Sequence, residues 1–226
     1  MRAWTVAAIL IFSIVSASAQ FGIRAKYNTN SFSDWEQFIP EIGHSNIEIG
    51  ADYFFKLKTR RIEFMPEVYY GLNSVVDYYS PADLLLNFEH SYIGFQFNTN
   101  IYIFDLASDC DCPTSSKDGP SIKKGFFFSI APGVVYNKYQ RTTPPVVTEP
   151  DPSISTLNAR LAVGAGYDIG ITDLLTITPF INYAISLGND AAFYSAENEE
   201  VKTNWTTLQA GIRVGFRPDY VKRYGR

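Results

Sequence analysis

The side chains that could do chemistry in this 226-residue chain are few. Cys110 and Cys112 stand two apart in a polar stretch that also carries Asp105, Asp109, Asp111 and Asp118. A disulfide between residues two apart seldom reaches good geometry without strain. Thiolates and carboxylates also bind metals, but the spacing fits neither a zinc site nor a calcium loop. The favoured reading is a polar turn with two thiols or a strained local bridge between Cys110 and Cys112, with no metal and no cofactor. There are two histidines, His44 and His90. His44 falls in the first long link and His90 adjoins a nucleophile type, Ser91, but hydrolysis needs nucleophile and base in contact, oriented by a carboxylate. Neighbours in a strand point to opposite faces, so His90 reads as a solvated rim histidine and no catalytic residue is expected.

The larger constellation is ionic. Arg24, Lys26, Lys56, Arg160 and Arg213 lie in apolar-polar alternating stretches, and so do Glu48, Asp52, Glu63, Glu67 and Asp168. Five positive charges match five negative ones. Charges shut away from water must be paired, so a balanced set is what a narrow polar interior can hold.

The elements that would position them are eight period-two segments: 20–29, 46–58, 61–72, 91–104, 124–139, 156–170, 174–187 and 207–216. In the last, Leu208, Ala210, Ile212, Val214 and Phe216 share one face, while Gln209, Gly211, Arg213 and Gly215 share the other. Runs of about ten residues suit tilted membrane-spanning strands. No helical period competes with them. A soluble, lipocalin-like barrel would turn the apolar face inward; an inverted barrel would turn it to lipid and enclose the charges.

The N-terminus sets the compartment. Arg2, an apolar run from Trp4 to Val15 and the small residues Ala17, Ser18 and Ala19 form a secretory signal over 1–19. The barrel then occupies 20–217 as one domain, and 218–226 is a short basic tail. Aromatics are abundant, with 17 Phe and 15 Tyr, as strands and membrane interfaces favour. A net charge of −4 gives no reason to expect a nucleic-acid partner.

The connections take sides. Short turns join the second to the third segment and the sixth to the seventh. Long links cover 30–45, 73–86, 140–155 and 188–202. That asymmetry matches barrels with short periplasmic turns and long extracellular loops. Trp205, Tyr27, Tyr70 and Tyr136 then form one aromatic girdle, and Phe126, Tyr167 and Phe216 the other. The link over 105–125 is the exception: it is long yet falls on the short-turn side.

Signal peptide, eight segments and loop asymmetry together resemble the small OmpA/OmpX-type outer-membrane β-barrels. More narrowly, the run from Asp109, Cys110, Cys112, Pro113 and Thr114 through Ser116 and Lys117 to Lys123, Lys124, Gly125, Phe126 and Phe127 is similar to a segment of the outer membrane protein beta-barrel domain family, often labelled porin. The chain departs from the wider pattern by continuing ten residues beyond Phe216. The resemblance implies an all-β, eight-stranded antiparallel up-and-down transmembrane barrel in the outer membrane of a Gram-negative bacterium. The expected role is structural or surface-binding through long extracellular loops, as a monomer whose partners are outer-membrane lipid and an unidentified extracellular ligand. The alternatives are a small-solute channel, a lipid-modifying rim enzyme or a soluble lipocalin-like barrel.

Overall fold

Each alternating stretch becomes a strand, because β-branched and aromatic residues on one pleat face and polar residues on the other suit a sheet with two unlike sides. The structure, a computed structural model, describes residues 20–32, 45–57, 60–79, 85–106, 120–142, 153–187, 190–194, 200–203 and 205–217. The barrel wall is built from β1 (Phe21–Phe32), β2 (Ser45–Tyr53) continued by β3 (Phe55–Lys56), β4 (Ile62–Tyr79), β5 (Leu85–Ile101), β6 (Phe126–Thr142), β7 (Ser153–Tyr167) continued by β8 (Ile169–Gly170), β9 (Leu175–Leu187) and β12 (Trp205–Phe216). A short hairpin, β10 (Asp190–Tyr194) with β11 (Glu200–Thr203), lies between β9 and β12. Every neighbouring pair is antiparallel, and β12 pairs with both β9 and β1. The sheet therefore closes into an eight-stranded barrel with no free edge along the wall.

Burial is inverted relative to a soluble protein. Ile212 is 53% exposed while its neighbour Arg213 is 4% exposed. Ile23, Ile49, Val68, Ile93, Phe128, Ile130, Val163, Ile181 and Leu208 are exposed on the outside. Arg24, Lys26, Glu48, Asp52, Glu67, Gln96, Asn98, Arg160, Asn182 and Gln209 are buried inside. The described chain ends, Gln20 and Arg217, share one rim, here called the termini rim, with the turns after β3 and β8. The opposite, loop rim carries the links that leave β1, β4, β6 and β9.

Outward prolines shape the wall. Proline donates no hydrogen bond to a ladder. At Pro66 the pairing of β4 lapses between Asp52↔Glu67 and Phe55↔Phe64, which is where β2 gives way to β3. At Pro132 the β5–β6 ladder skips from Gln96↔Gly133 to Thr99↔Ile130. At Pro179 the β9 ladder skips from Gly166↔Phe180 to Ile169↔Ile177, separating β7 from β8.

One expectation about the connections changes. The link expected over 73–86 is mostly strand: β4 and β5 stay paired out to Tyr79↔Leu85. β5–β6 pairing reaches Asn87↔Thr142, and β6–β7 pairing reaches Gln140↔Ser153. By contrast β2–β4 stops at Ile47↔Leu72 and β7–β9 at Ala159↔Leu187. Four strands thus run on past their neighbours at the loop rim; the seven residues 73–79 add roughly 20 Å. On the termini rim, the 105–125 link ends in a short helix, α1 (Ser121–Gly125).

Candidate functional site

The lumen is where the buried chemistry lies. Glu48 on β2 is its hub, 0% exposed. It receives Lys26 Nζ at 2.5 Å, Arg160 Nη1 at 3.4 Å and the Tyr92 hydroxyl at 3.2 Å. Asn28 and Gln209 donate to it at 3.3 and 3.5 Å. Lys26 also reaches Glu67 at 2.7 Å, and Arg24 Nε lies 3.5 Å from the same carboxylate. Asp52 holds two guanidiniums, Arg24 Nε at 2.9 Å and Arg213 Nε and Nη2 at 2.8 and 2.7 Å. The β1–β12 register sets Arg24 opposite Arg213; Asp52, from the other neighbour of β1, is what lets these like charges lie side by side.

Nearer the termini rim, the Tyr102 hydroxyl lies 2.8 Å from Glu63 and 2.5 Å from Asp168, and Thr178 donates to Asp168 at 2.5 Å. Arg61 pairs with Asp105 at 2.7 Å, donates to the Lys124 carbonyl and lies 3.9 Å from Glu63. Arg217 approaches Glu63 at 3.8 Å.

Among the described residues the buried charged side chains are Arg24, Lys26, Arg61, Arg160 and Arg213 with Glu48, Asp52, Glu63, Glu67 and Asp168. Lys56 is instead half-buried at the termini rim, with Glu63 as its register partner. Arg61, a turn residue that the alternating pattern does not mark, is a further member of the buried set.

Aromatic side chains complete the filling, and the sequence reading missed most of them. Tyr69, Tyr92, Tyr102, Phe127, Phe180 and Trp205 all point inward and are buried. Tyr69 lies against Gly94 and Tyr92 against Gly71, each ring occupying the space a side chain on the opposing glycine would need. The two are reciprocal register pairs of the β4–β5 hairpin. Trp205 is not part of a girdle: its indole N–H donates to Asn30 at 3.0 Å from inside the lumen. Tyr27, Tyr70, Tyr136 and Phe216 do face outward.

His90 is likewise not a solvated rim residue. It is 2% exposed, meets Asn137 Oδ1 at 3.1 Å and packs its ring on Tyr92 and Trp205. Its strand parity is that of Tyr92 and Gln96, which sends it inward. Ser91 lies on the other face of β5. His44, Cys110 and Cys112 fall outside the described residues. No cluster of three His, Cys, Asp or Glu side chains among the described residues is arranged to hold a metal.

Among the described residues a small cavity lies between Arg24, Asn100, Phe127, Thr178, Phe180 and Arg213. Its volume is about 10 Å³, room for a single water at most.

No protein-family profile matches the chain, and no curated protein does. The chain is similar in fold to solved small outer-membrane barrels. One is Ail, the attachment invasion locus protein of Yersinia pestis, at 10% identity over 88% of this chain and 99% of that one, TM-score 0.48. Another is the N-terminal β-barrel domain of OprF from Pseudomonas aeruginosa, at 9% identity over 86% and 97%, TM-score 0.44. A third is a major outer membrane protein from Thermus thermophilus, at 9% identity over 88% and 99%, TM-score 0.48.

Proposed function

We infer that this chain, once residues 1–19 are removed as a signal peptide, spans an outer membrane as a sealed monomeric barrel. It serves there as a rigid scaffold that presents its loop rim to the outside, in a structural or surface-binding role. The observation that carries this reading is the inverted burial: apolar side chains cover the outside of the wall, while paired charges and aromatic rings fill the inside. In lipid, closed barrels satisfy every backbone group and have no edge, and their exposed faces must be apolar. In water the same surface would be a large aggregation-prone patch.

The filled lumen speaks against a pore. Eight strands leave an interior just wide enough for side chains, and here ion pairs and rings occupy it. No nucleophile, base and carboxylate converge among the described residues in a way that supports hydrolysis. What the fold offers a partner is the extension of β4, β5, β6 and β7 beyond the rest of the wall at the loop rim.

The test is biochemical. The mature chain should stay soluble only in detergent or vesicles and migrate faster on gels before heating than after. Reconstituted into planar bilayers it should give no reproducible unitary conductance. Stable monodisperse protein in detergent-free buffer would overturn the membrane reading, and defined channel openings would overturn the sealed scaffold.

A further inference from the structure

The termini rim carries a feature that neither the lumen nor the loop rim explains. Three segments meet there: the turn between β3 and β4, the end of β5 and α1. Backbone bonds tie the first two, Arg61 N to Leu106 O at 3.0 Å and Tyr102 N to Arg61 O at 3.3 Å. The buried Arg61 guanidinium binds Asp105 and the Lys124 carbonyl, which fastens α1 to them. Phe104 stacks on Phe126 at 5.8 Å where α1 enters β6. The result is a braced knob.

The knob's outer surface is both apolar and basic. Ile122 is 68% exposed, Phe104 50% and Ile103 45%. Arg60 and Lys123 are exposed and Lys124 is half-buried. Among the described residues none of these three cations has an ion pair or side-chain hydrogen bond. Among the described residues of the knob the one acidic side chain, Asp105, pairs with Arg61. Apolar side chains at the edge of a lipid-facing wall, beside unpaired cations, match the layer where acyl chains give way to phosphates. Lysine and arginine bind phosphate esters by charge-assisted hydrogen bonds, and their stems lie along apolar surface while the heads stay wet.

We propose that this knob is a seat for the phosphate of an anionic phospholipid, with Arg60, Lys123 and Lys124 around the headgroup and Ile103, Phe104 and Ile122 against the acyl chains. The proposal rests on the membrane-spanning reading above. It places the seat on the periplasmic side, opposite the rim that faces outward.

The experiment uses the mature chain in vesicles of phosphatidylcholine with 30% phosphatidylglycerol as the probe lipid, followed by native mass spectrometry of the lipids retained. Heat-modifiable migration of each sample reports whether the barrel has folded. The wild type should retain phosphatidylglycerol over phosphatidylcholine, and less of it at high salt. The triple variant Arg60→Gln, Lys123→Gln and Lys124→Gln should lose this preference, by up to about five-fold per charge removed. Lys138→Gln, on β6 toward the other rim, should leave it unchanged. Folded barrel that retains both lipids equally overturns the seat but not the membrane reading. Equal loss in the triple variant and in Lys138→Gln overturns it as a diffuse charge effect. Failure to insert in any vesicle overturns the membrane reading itself.

Discussion

Glu48→Gln removes one negative charge from the lumen without changing its shape. The middle of the lumen holds four cations, Arg24, Lys26, Arg160 and Arg213, against three anions, Glu48, Asp52 and Glu67. After the substitution Lys26 keeps Glu67 at 2.7 Å, but Arg160 loses the carboxylate it pairs with. Leaving a buried ion without its partner costs about 3–5 kcal/mol. With a denaturant slope of about 2 kcal/mol per molar, the urea midpoint of the reconstituted barrel should fall by about 2 M. Tryptophan fluorescence in vesicles, followed through unfolding and refolding, gives the assay. The double variant Glu48→Gln with Arg160→Met separates charge from packing. It removes the cation that Glu48→Gln leaves without its carboxylate, while Lys26 keeps Glu67, so it should recover at least half of the lost stability. The reasoning fails if Glu48→Gln lies within about 1 kcal/mol of wild type, since surface ion pairs contribute no more than that. It also fails if the double variant is less stable than the sum of its two single changes.

Gly71→Ala should destabilise by about 2–4 kcal/mol, because the added methyl displaces the Tyr92 ring and with it the hydroxyl contacts to Asn28, Asn46 and Glu48; Ser153→Ala, exposed at the loop-rim start of β7, serves as the comparison in the same unfolding assay. Ile212→Lys places a cation on the outward face and should cost about 2–4 kcal/mol in lipid if it lies near the bilayer midplane, whereas in a detergent-free soluble barrel it would be neutral. Trp205 points into the lumen, so in a Trp35→Phe background its fluorescence should resist quenching by brominated acyl chains; a tryptophan installed by Ile212→Trp should be quenched strongly. Equal quenching of the two would return Trp205 to the outer surface.

Alternation made the wall legible from sequence. A spanning strand has one lipid face and one lumen face, so each side chain's surroundings change with period two, and the charges mark the inner parity. The same parity identifies the inward rings. Tyr69 is two residues from Glu67, Tyr92 is two from His90, and Trp205 is two from Thr207 and four from Gln209. Assigning Trp205 to a girdle followed residue type and ignored this spacing. The place of His90 near a strand end suggests solvent, but its face, shared with Tyr92 and Gln96, sets its surroundings. The stretch from Asn73 to Tyr79 lacks that guide. Past Leu72 the pairing of β4 with β2 has ended, the apolar residues Val75-Val76 and Tyr78-Tyr79 come in adjacent pairs rather than alternating, and the ladder shifts between Val75 and Tyr78. Arg61 was invisible because a turn residue has no parity; only the fold brings it under Tyr102.

The reciprocal tyrosine–glycine pairs on β4 and β5 have a consequence for alignment. Sliding one strand by two residues keeps every face correct, so the pleat alone does not forbid it. In this hairpin one such slip sets Tyr69 opposite Tyr92, two rings contending for one space. The other sets Gly71 opposite Gly94, leaving a hollow. Only the native offset lets each ring find a bare stretch of backbone, so this pair of strands can verify its own alignment before any other part of the cylinder has assembled.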